Sequence, residues 1–360
     1  MRPFFDAHLD LAWSALYFNR DLLQSVSTIR QAEAGMTDEL SRGRNTVSFP
    51  ELRRANTFVC IATLLARSGP DKLPIPPTRR SDADYAEQRI AYAHAQAQLA
   101  YYRQLEHEGH IRIITTRSEL AAHWGAWTKN PAATPIGVII GMEGADPILQ
   151  PEQAETWFKQ GLRAVGLAHY GRSHYACGTA TEGPLTNKGI RLLKEFQRIG
   201  MILDVTHFSD ESFLHAMDIY NGPVIASHHN CRSLVPGQRQ LTDDQIKILI
   251  KHDSVIGAAF DAWMLYPGWV RGKTDPQLVK IEDAADHIDH ICQLAGNARH
   301  CAIGSDLDGG FGTEQTPGDL DTITDIHKLE TILAGRGYTN TEIDEIFFGN
   351  WLRLFASALP

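Results

Sequence analysis

Short apolar runs, separated by longer stretches with helical spacing, make up most of this chain. Eight of the runs read as buried strands: residues 3–8, 57–64, 136–142, 163–168, 201–206, 223–227, 254–260 and 300–304. Several are rich in Val and Ile, the pattern of parallel strands covered on both faces. Between them the spacing predicts helices. Residues 84–107 are long and Ala-rich, and 187–200 place apolar residues at 190, 192, 193, 196 and 199 before Gly200. Residues 209–222 open on a Ser or Asp cap, 242–252 open on Thr242, and 281–296 and 341–355 complete the set. Strand and helix alternating in this way predict an α/β protein with right-handed crossovers. Eight strands favour a (β/α)8 TIM barrel. A doubly wound sheet is the competitor, but no Gly-rich phosphate turn follows any of the strands. IRIITT (111–116) reads as an extra edge strand. Residues 19–56 and 67–83 read as long loops inserted into one domain spanning 1–360, the second Pro-rich and a candidate lid.

Polar residues stand at the ends of these runs. His8 and Asp10 follow Phe4-Phe5, Glu143 ends PIGVIIGME, and His169 ends RAVGLAH. His207 ends MILDVTH, His228 ends PVIASH, and Asp306 and Asp308 follow CAIG. Parallel strands that each hand a polar group to one end of the sheet are how a barrel assembles an active site. His8 and Asp10, two residues apart, share a face of one strand and can reach one ion. A carboxylate at the end of a strand as apolar as that before Glu143 is expensive unless paired or bound to a cation. Its two oxygens can bridge two metals, with His207 and His228 serving the second. His, Asp and Glu without clustered Cys favour a catalytic over a structural metal site. The chain has 16 His, so most of the others are ordinary. His94, His107, His110 and His123 read as surface or core residues, and His287 and His290 as the polar face of a helix.

A net charge of −9 argues against nucleic-acid or anionic-membrane partners. Five widely spaced cysteines with no CxxC read as reduced thiols. MRPFFDAHLD lacks the basic and apolar regions of a signal peptide, no run approaches 18 apolar residues, and RLFASALP is too short for a lipid-anchor signal. A cytoplasmic protein is the expectation.

The motifs DAHLDLAW, GMEGADPI, GLxxxGLAH, GPLTNKGIRLLKEFQRIGMILDVTH, VIASHHNCR and IGSDLDGG, in that order, resemble the renal (membrane) dipeptidase family of zinc peptidases. The resemblance runs from residue 4 to about residue 356. It implies a (β/α)8 barrel of the amidohydrolase group with two zinc ions per chain, bridged by a carboxylate and a hydroxide. His8, Asp10 and Glu143 would hold the first zinc, and Glu143, His207 and His228 the second. His169 matches the family histidine that contacts substrate and stabilises the oxyanion. Arg239 matches the arginine that binds the substrate's terminal carboxylate. Asp306 matches the acid beside the first metal, where it would take a proton and pass it to the leaving amine. The implied reaction is hydrolysis of a short dipeptide, L-Xaa–L-Xaa or L-Xaa–D-Xaa, and the family leaves room for a homodimer.

The chain departs from the family at two places. Arg172 stands where an Asn is frequent, and GAAFDAWMLYPGW brings Asp261 into the seventh-strand region. Either could bias selection towards a charged substrate side chain, or could pair with protein groups outside the pocket. Two other functions fit the motifs less well. One is a metal-dependent N-acyl-amino-acid deacylase on the same barrel. The other is a non-catalytic metal- or peptide-binding protein, disfavoured because Glu143, His169 and Asp306 are all present.

Overall fold

A computed structural model describes residues 1–69 and 84–360. Each expected strand has a counterpart: β1 (Phe4–Leu9), β2 (Thr57–Leu65), β4 (Ile136–Glu143), β5 (Leu162–Gly166), β6 (Ile202–Asp204), β7 (Val224–Ile225), β8 (Ile256–Ala258) and β9 (Cys301–Ile303). The extra edge strand is also present, as β3 (Ile111–Ile113). It pairs with residues 136–138 of β4, and β5 pairs with residues 140–142. All pairings are parallel. One curled sheet runs β1-β2-β4-β5-β6-β7, and β8 and β9 form a second ladder. Backbone hydrogen bonds join the two. Ala226 N–H donates to Val255 O at 3.1 Å, Gly257 N–H to Ala226 O at 2.8 Å, and Asp306 N–H to His8 O at 3.3 Å.

Nearly every strand residue is buried, which explains why the strands read as continuous apolar runs. Crowding is greatest where β7, β8 and β9 meet. A Cβ on Gly304 would lie 1.7 Å from the carbonyl oxygen of Ser227, so only glycine fits there.

The expected helices form with the capping chemistry that marks their ends. Thr242 and Gln245 make a reciprocal capping box at the start of Asp243–Lys251. Gly200 and Gly296 close Asn187–Ile199 and Ile281–Ala295 in the left-handed conformation.

The reading of 19–56 as a long loop is corrected. The segment carries two short helices, Val26–Ala32 and Phe49–Arg54. At seven and six residues they are too short to leave a periodic signal. The first ends on a buried ion network in which Glu33 accepts from Arg20 at 2.8 and 3.0 Å and from Arg42 at 2.8 Å, and the second begins where Phe49 N–H bonds to Leu22 O at 2.9 Å. Of the candidate lid at 67–83, residues 70–83 lie outside the described residues. The five cysteines are buried and unpaired. Among the described residues no helix is long and apolar enough to cross a membrane.

Candidate active site

Five strands in succession place a polar residue three positions past their last paired residue. His169 follows β5 by three, His207 follows β6, His228 follows β7, Asp261 follows β8 and Asp306 follows β9. His8 lies within β1, Asp10 just past it, and Glu143 is the last residue of β4. The common offset brings these side chains to the carboxyl end of the curled sheet. Two of them pay a backbone cost: His207 sits at φ +68° and Asp306 at φ +59°. The left-handed region is uncommon for residues other than glycine and concentrates at functional sites.

Glu143 is the centre of the cluster. Its Oε1 lies 3.6 Å from His8 Nε2, 3.0 Å from His207 Nε2, 3.3 Å from His228 Nε2 and 3.6 Å from His169 Nε2. His8 Nε2 is 3.7 Å from both Asp10 and Asp306. Three overlapping donor sets result: His8, Asp10 and Glu143; Glu143, His207 and His228; and His8, His228 and Asp306.

Three observations show that this set fits metal ions. First, two tetrahedral ligands about 2.1 Å from one zinc are separated by ~3.4 Å, and the donor atoms here stand 3.0–3.7 Å apart. Second, both ring nitrogens of His8 are buried without a hydrogen-bond partner. Third, the neighbours of His207 and His228 expose ring lone pairs to each other. The Thr179 hydroxyl lies 3.0 Å from His207 Nδ1 and the Ser227 hydroxyl 3.0 Å from His228 Nδ1. A hydroxyl can accept from Nδ1–H, which leaves both Nε2 atoms unprotonated and only 3.2 Å apart. Two lone pairs facing each other repel unless a cation lies beside them. On the first set, Asp10 is held by the hydroxyl of Thr63. Hydroxyl and carboxylate partners of this kind orient metal ligands.

Protonation equilibria carry the same message. Burial, aided by the charge of Arg239, holds His207 well below the ordinary histidine value, and burial with the charge of His8 does so for His228. Both are therefore neutral, as a ligand must be. Burial lifts Glu143 to about 7 and Asp306 well above the carboxylate range, only partly opposed by His8. Burial would lower His8, but Glu143, Asp10 and Asp306 outweigh it and raise it to about 10. The cluster holds more acid groups than it can keep ionised, and cations can take the place of the retained protons.

A cavity of about 70 Å³ opens on the cluster, its wall including Glu143, His169, His207, Arg239, Asp261 and Asp306. A second of about 270 Å³ shares Leu65, His169, Tyr170, Asp261, Trp263 and Gly309 with it and continues outward past Trp13 and Tyr17. Arg239 is 2% exposed; one guanidinium nitrogen donates to His228 O at 2.9 Å and Nη1 has no partner. Asp261, also buried, accepts from Trp263 N–H and, at 3.1 Å, from Gln315. Arg172 is exposed and belongs to neither cavity wall.

The reading of His287 as a polar-face residue is corrected: it is 1% exposed and its Nδ1 accepts from Cys231 N–H at 3.0 Å. His290 borders solvent and pairs with Asp243 at 2.9 Å. Sequence reasoning passed over Thr63, Thr179 and Ser227. A hydroxyl residue stands immediately before two of the strand-end histidines, Thr206-His207 and Ser227-His228, but only Ser227 is the partner of the ring beside it.

A curled parallel sheet gathers histidines and carboxylates at its carboxyl end around one glutamate, in groups able to hold metal ions. The chain belongs to the membrane dipeptidase family, peptidase family M19, whose model matches residues 2–359. The solved structure of dipeptidase AC, a metallopeptidase of that family, superimposes with a TM-score of 0.78 at 21% identity, over 99% of both chains. A metallopeptidase from Rhodobacter sphaeroides, liganded with a phosphinate mimic of L-Ala-D-Ala, gives 0.77 at 19% identity, covering 100% of this chain and 99% of that one. Dipeptidase verJ of Clonostachys rogersoniana is 31% identical over 227 residues, 62% of this chain. The chain spans about half the length of the curated relatives it matches, 55% for verJ.

Proposed function

We propose that the chain hydrolyses dipeptides that carry a free terminal carboxylate, with two zinc ions held by His8, Asp10 and Glu143 and by Glu143, His207 and His228. The observation that carries this reading is the position of Glu143 Oε1, within 3.6 Å of His8, His207 and His228 alike. Bound there, a zinc pair supplies carbonyl polarisation and a water acidified towards neutrality.

The chain's own groups do the rest. The buried, partly unpartnered guanidinium of Arg239 holds the substrate carboxylate, which limits substrates to short peptides. Asp306 accepts the proton of the attacking water and returns it to the leaving amine. His169 donates a hydrogen bond to the carbonyl oxygen as charge develops on it. Asp261, on the wall of both cavities, selects among substrate side chains. Arg172 lines neither, so the selectivity reading rests on Asp261. The backbone bonds between β7 and β8 and between His8 and Asp306 support closure of the sheet into a (β/α)8 barrel.

The test is turnover of a mixed set of L-Xaa–L-Xaa dipeptides, L-Xaa–D-Xaa dipeptides and N-acetyl-amino acids, with bound metal counted on the same sample. The D-series is included because the Rhodobacter neighbour binds a mimic of L-Ala-D-Ala. Dipeptide cleavage that disappears with chelator and returns with zinc, at about two ions per chain, supports the proposal. Two ions with cleavage of N-acetyl-amino acids alone would replace it with the deacylase. Folded protein that binds no metal would overturn the site.

A further inference from the structure

Three histidines face Glu143 through Nε2 after a strand end, yet their other ring nitrogens meet different chemistry. Thr179 and Ser227, beside His207 and His228, have hydroxyls that can accept from Nδ1–H. Beside His169 Nδ1 stands a guanidinium nitrogen of Arg67, at 2.9 Å. An arginine has five N–H donors and no acceptor. His169 Nδ1 must therefore be the acceptor, and the proton of the neutral ring lies on Nε2. That nitrogen is 3.6 Å from Glu143 Oε1, on the wall of the inner cavity.

Arg67 is itself held. It sits two residues past β2, and its Nη2 donates to Asp84 at 2.7 Å. Tyr85 N–H bonds to its carbonyl oxygen at 2.8 Å, and its side chain is 14% exposed. The guanidinium plane is thereby fixed between a carboxylate and an imidazole.

We infer that Arg67 is a positioning residue that sets the tautomer of His169, keeping that histidine out of the metal coordination sphere and turning it into a fixed N–H donor to the substrate. The inference rests on the dipeptidase reading only for its kinetic consequence. With Nε2 protonated and Nδ1 occupied, His169 has no lone pair to offer an ion, although it stands as close to Glu143 as His8 does. This is the tautomer that can hydrogen-bond a carbonyl oxygen gaining charge. It is the opposite of the tautomer that the hydroxyls permit His207 and His228.

Two variants separate the roles. Arg67→Lys keeps a donor, and Arg67→Met removes it with a similar apolar stem. In zinc-loaded protein with ¹⁵N-labelled histidine, the His169 ring, assigned by comparison with His169→Asn, is expected to be protonated at Nε2 and hydrogen-bonded at Nδ1. That signature should be lost in R67M and retained in R67K. On a cleaved dipeptide, R67M is expected to lower kcat by about 100-fold, the lower end of the loss on removing an oxyanion donor outright, with KM changed less than about 3-fold and the metal count unaltered. R67K should recover most of the loss. A His169 ring protonated at Nδ1 in the wild type would overturn the inference, whatever the substrate. So would an R67M enzyme with wild-type kcat, or an R67K enzyme as impaired as R67M. If no dipeptide is cleaved, the NMR measurement still decides the tautomer, so failure of the functional reading and failure of this inference are distinct results.

Discussion

The carboxylate of Asp6 accepts hydrogen bonds from the backbone N–H of Ser305 at 2.8 Å and from its hydroxyl at 2.5 Å, across 299 residues of chain. It also accepts from His8 N–H at 3.1 Å. One buried side chain thus ties β1 to the turn after β9 and sets the backbone of a metal-ligand candidate. Asp204 does the same between β6 and β7, accepting from Thr206 N–H and Ser227 N–H.

Asp6→Leu keeps a similar shape but removes both acceptor oxygens, leaving the N–H groups of Ser305 and His8 unmet. The variant is expected to be destabilised by about 1–3 kcal/mol, the cost of leaving a buried donor unmet. Urea denaturation of chelator-treated protein measures it as a lower midpoint with an unchanged slope. An unchanged midpoint would mean that the Asp6–Ser305 contact does not join the two ends of the chain.

Glu143→Gln removes the anion that the two proposed metal sites would share. Both ions are expected to weaken together, with metal affinity falling by more than about 100-fold, the upper range for losing even an outer partner of a ligand. Elemental analysis after dialysis against a weak chelator reads the result. Retention of one tightly held ion would show that Glu143 serves a single site.

Thr179→Val and Ser227→Ala leave His207 and His228 in place but remove the groups that can accept from Nδ1–H. Each should weaken one ion by about 10- to 100-fold. Chelator competition should show one weakened site and one normal site in each variant. Wild-type affinity in both would detach these hydroxyls from metal binding.

Burial, with the charge of Asp306, holds Asp261 well above the carboxylate range, and Asp261→Asn keeps its shape and an oxygen for Trp263 N–H while removing the charge that a basic substrate side chain would draw out of it. The ratio of kcat/KM for basic to acidic dipeptides should fall, by about tenfold for the loss of 1.4 kcal/mol of attraction. Unchanged selectivity would confine Asp261 to holding Trp263 and Gln315.

His287 supplies a pH dependence away from the metal cluster. Burial, with a smaller contribution from His290, pushes it down to about 3. Between that value and the ordinary 6.5, the unfolded chain binds a proton that the folded chain refuses. Its contribution is therefore fully present above pH 6.5 and is lost as pH falls towards 3. From pH 7 to pH 5 the wild type should lose roughly 2 kcal/mol more stability than His287→Asn, whose side-chain oxygen can still accept from Cys231 N–H. Parallel stability curves for the two, measured without metal, would refute this.

The strands and the site candidates were legible because burial on both faces leaves a plain sequence mark. A run such as IGVIIGM has no polar residue to confuse it, so Glu143 at its end stands out. Helix ends were legible at Thr242, Gly200 and Gly296, where capping is a local matter. The two short helices in 19–56 and the burial of His287 were not, because partners distant in sequence decide both. The sequence by itself determined which residue types reach the carboxyl end of the sheet, since strand period and strand ends are properties of neighbouring residues. Tertiary structure alone decided what each histidine there can do. Only when Thr179 and Arg67 arrive from distant segments can the proton of His207 and of His169 be placed on one nitrogen or the other, with Ser227, next to His228 in sequence, the local exception; that placement would separate a metal ligand from a hydrogen-bond donor.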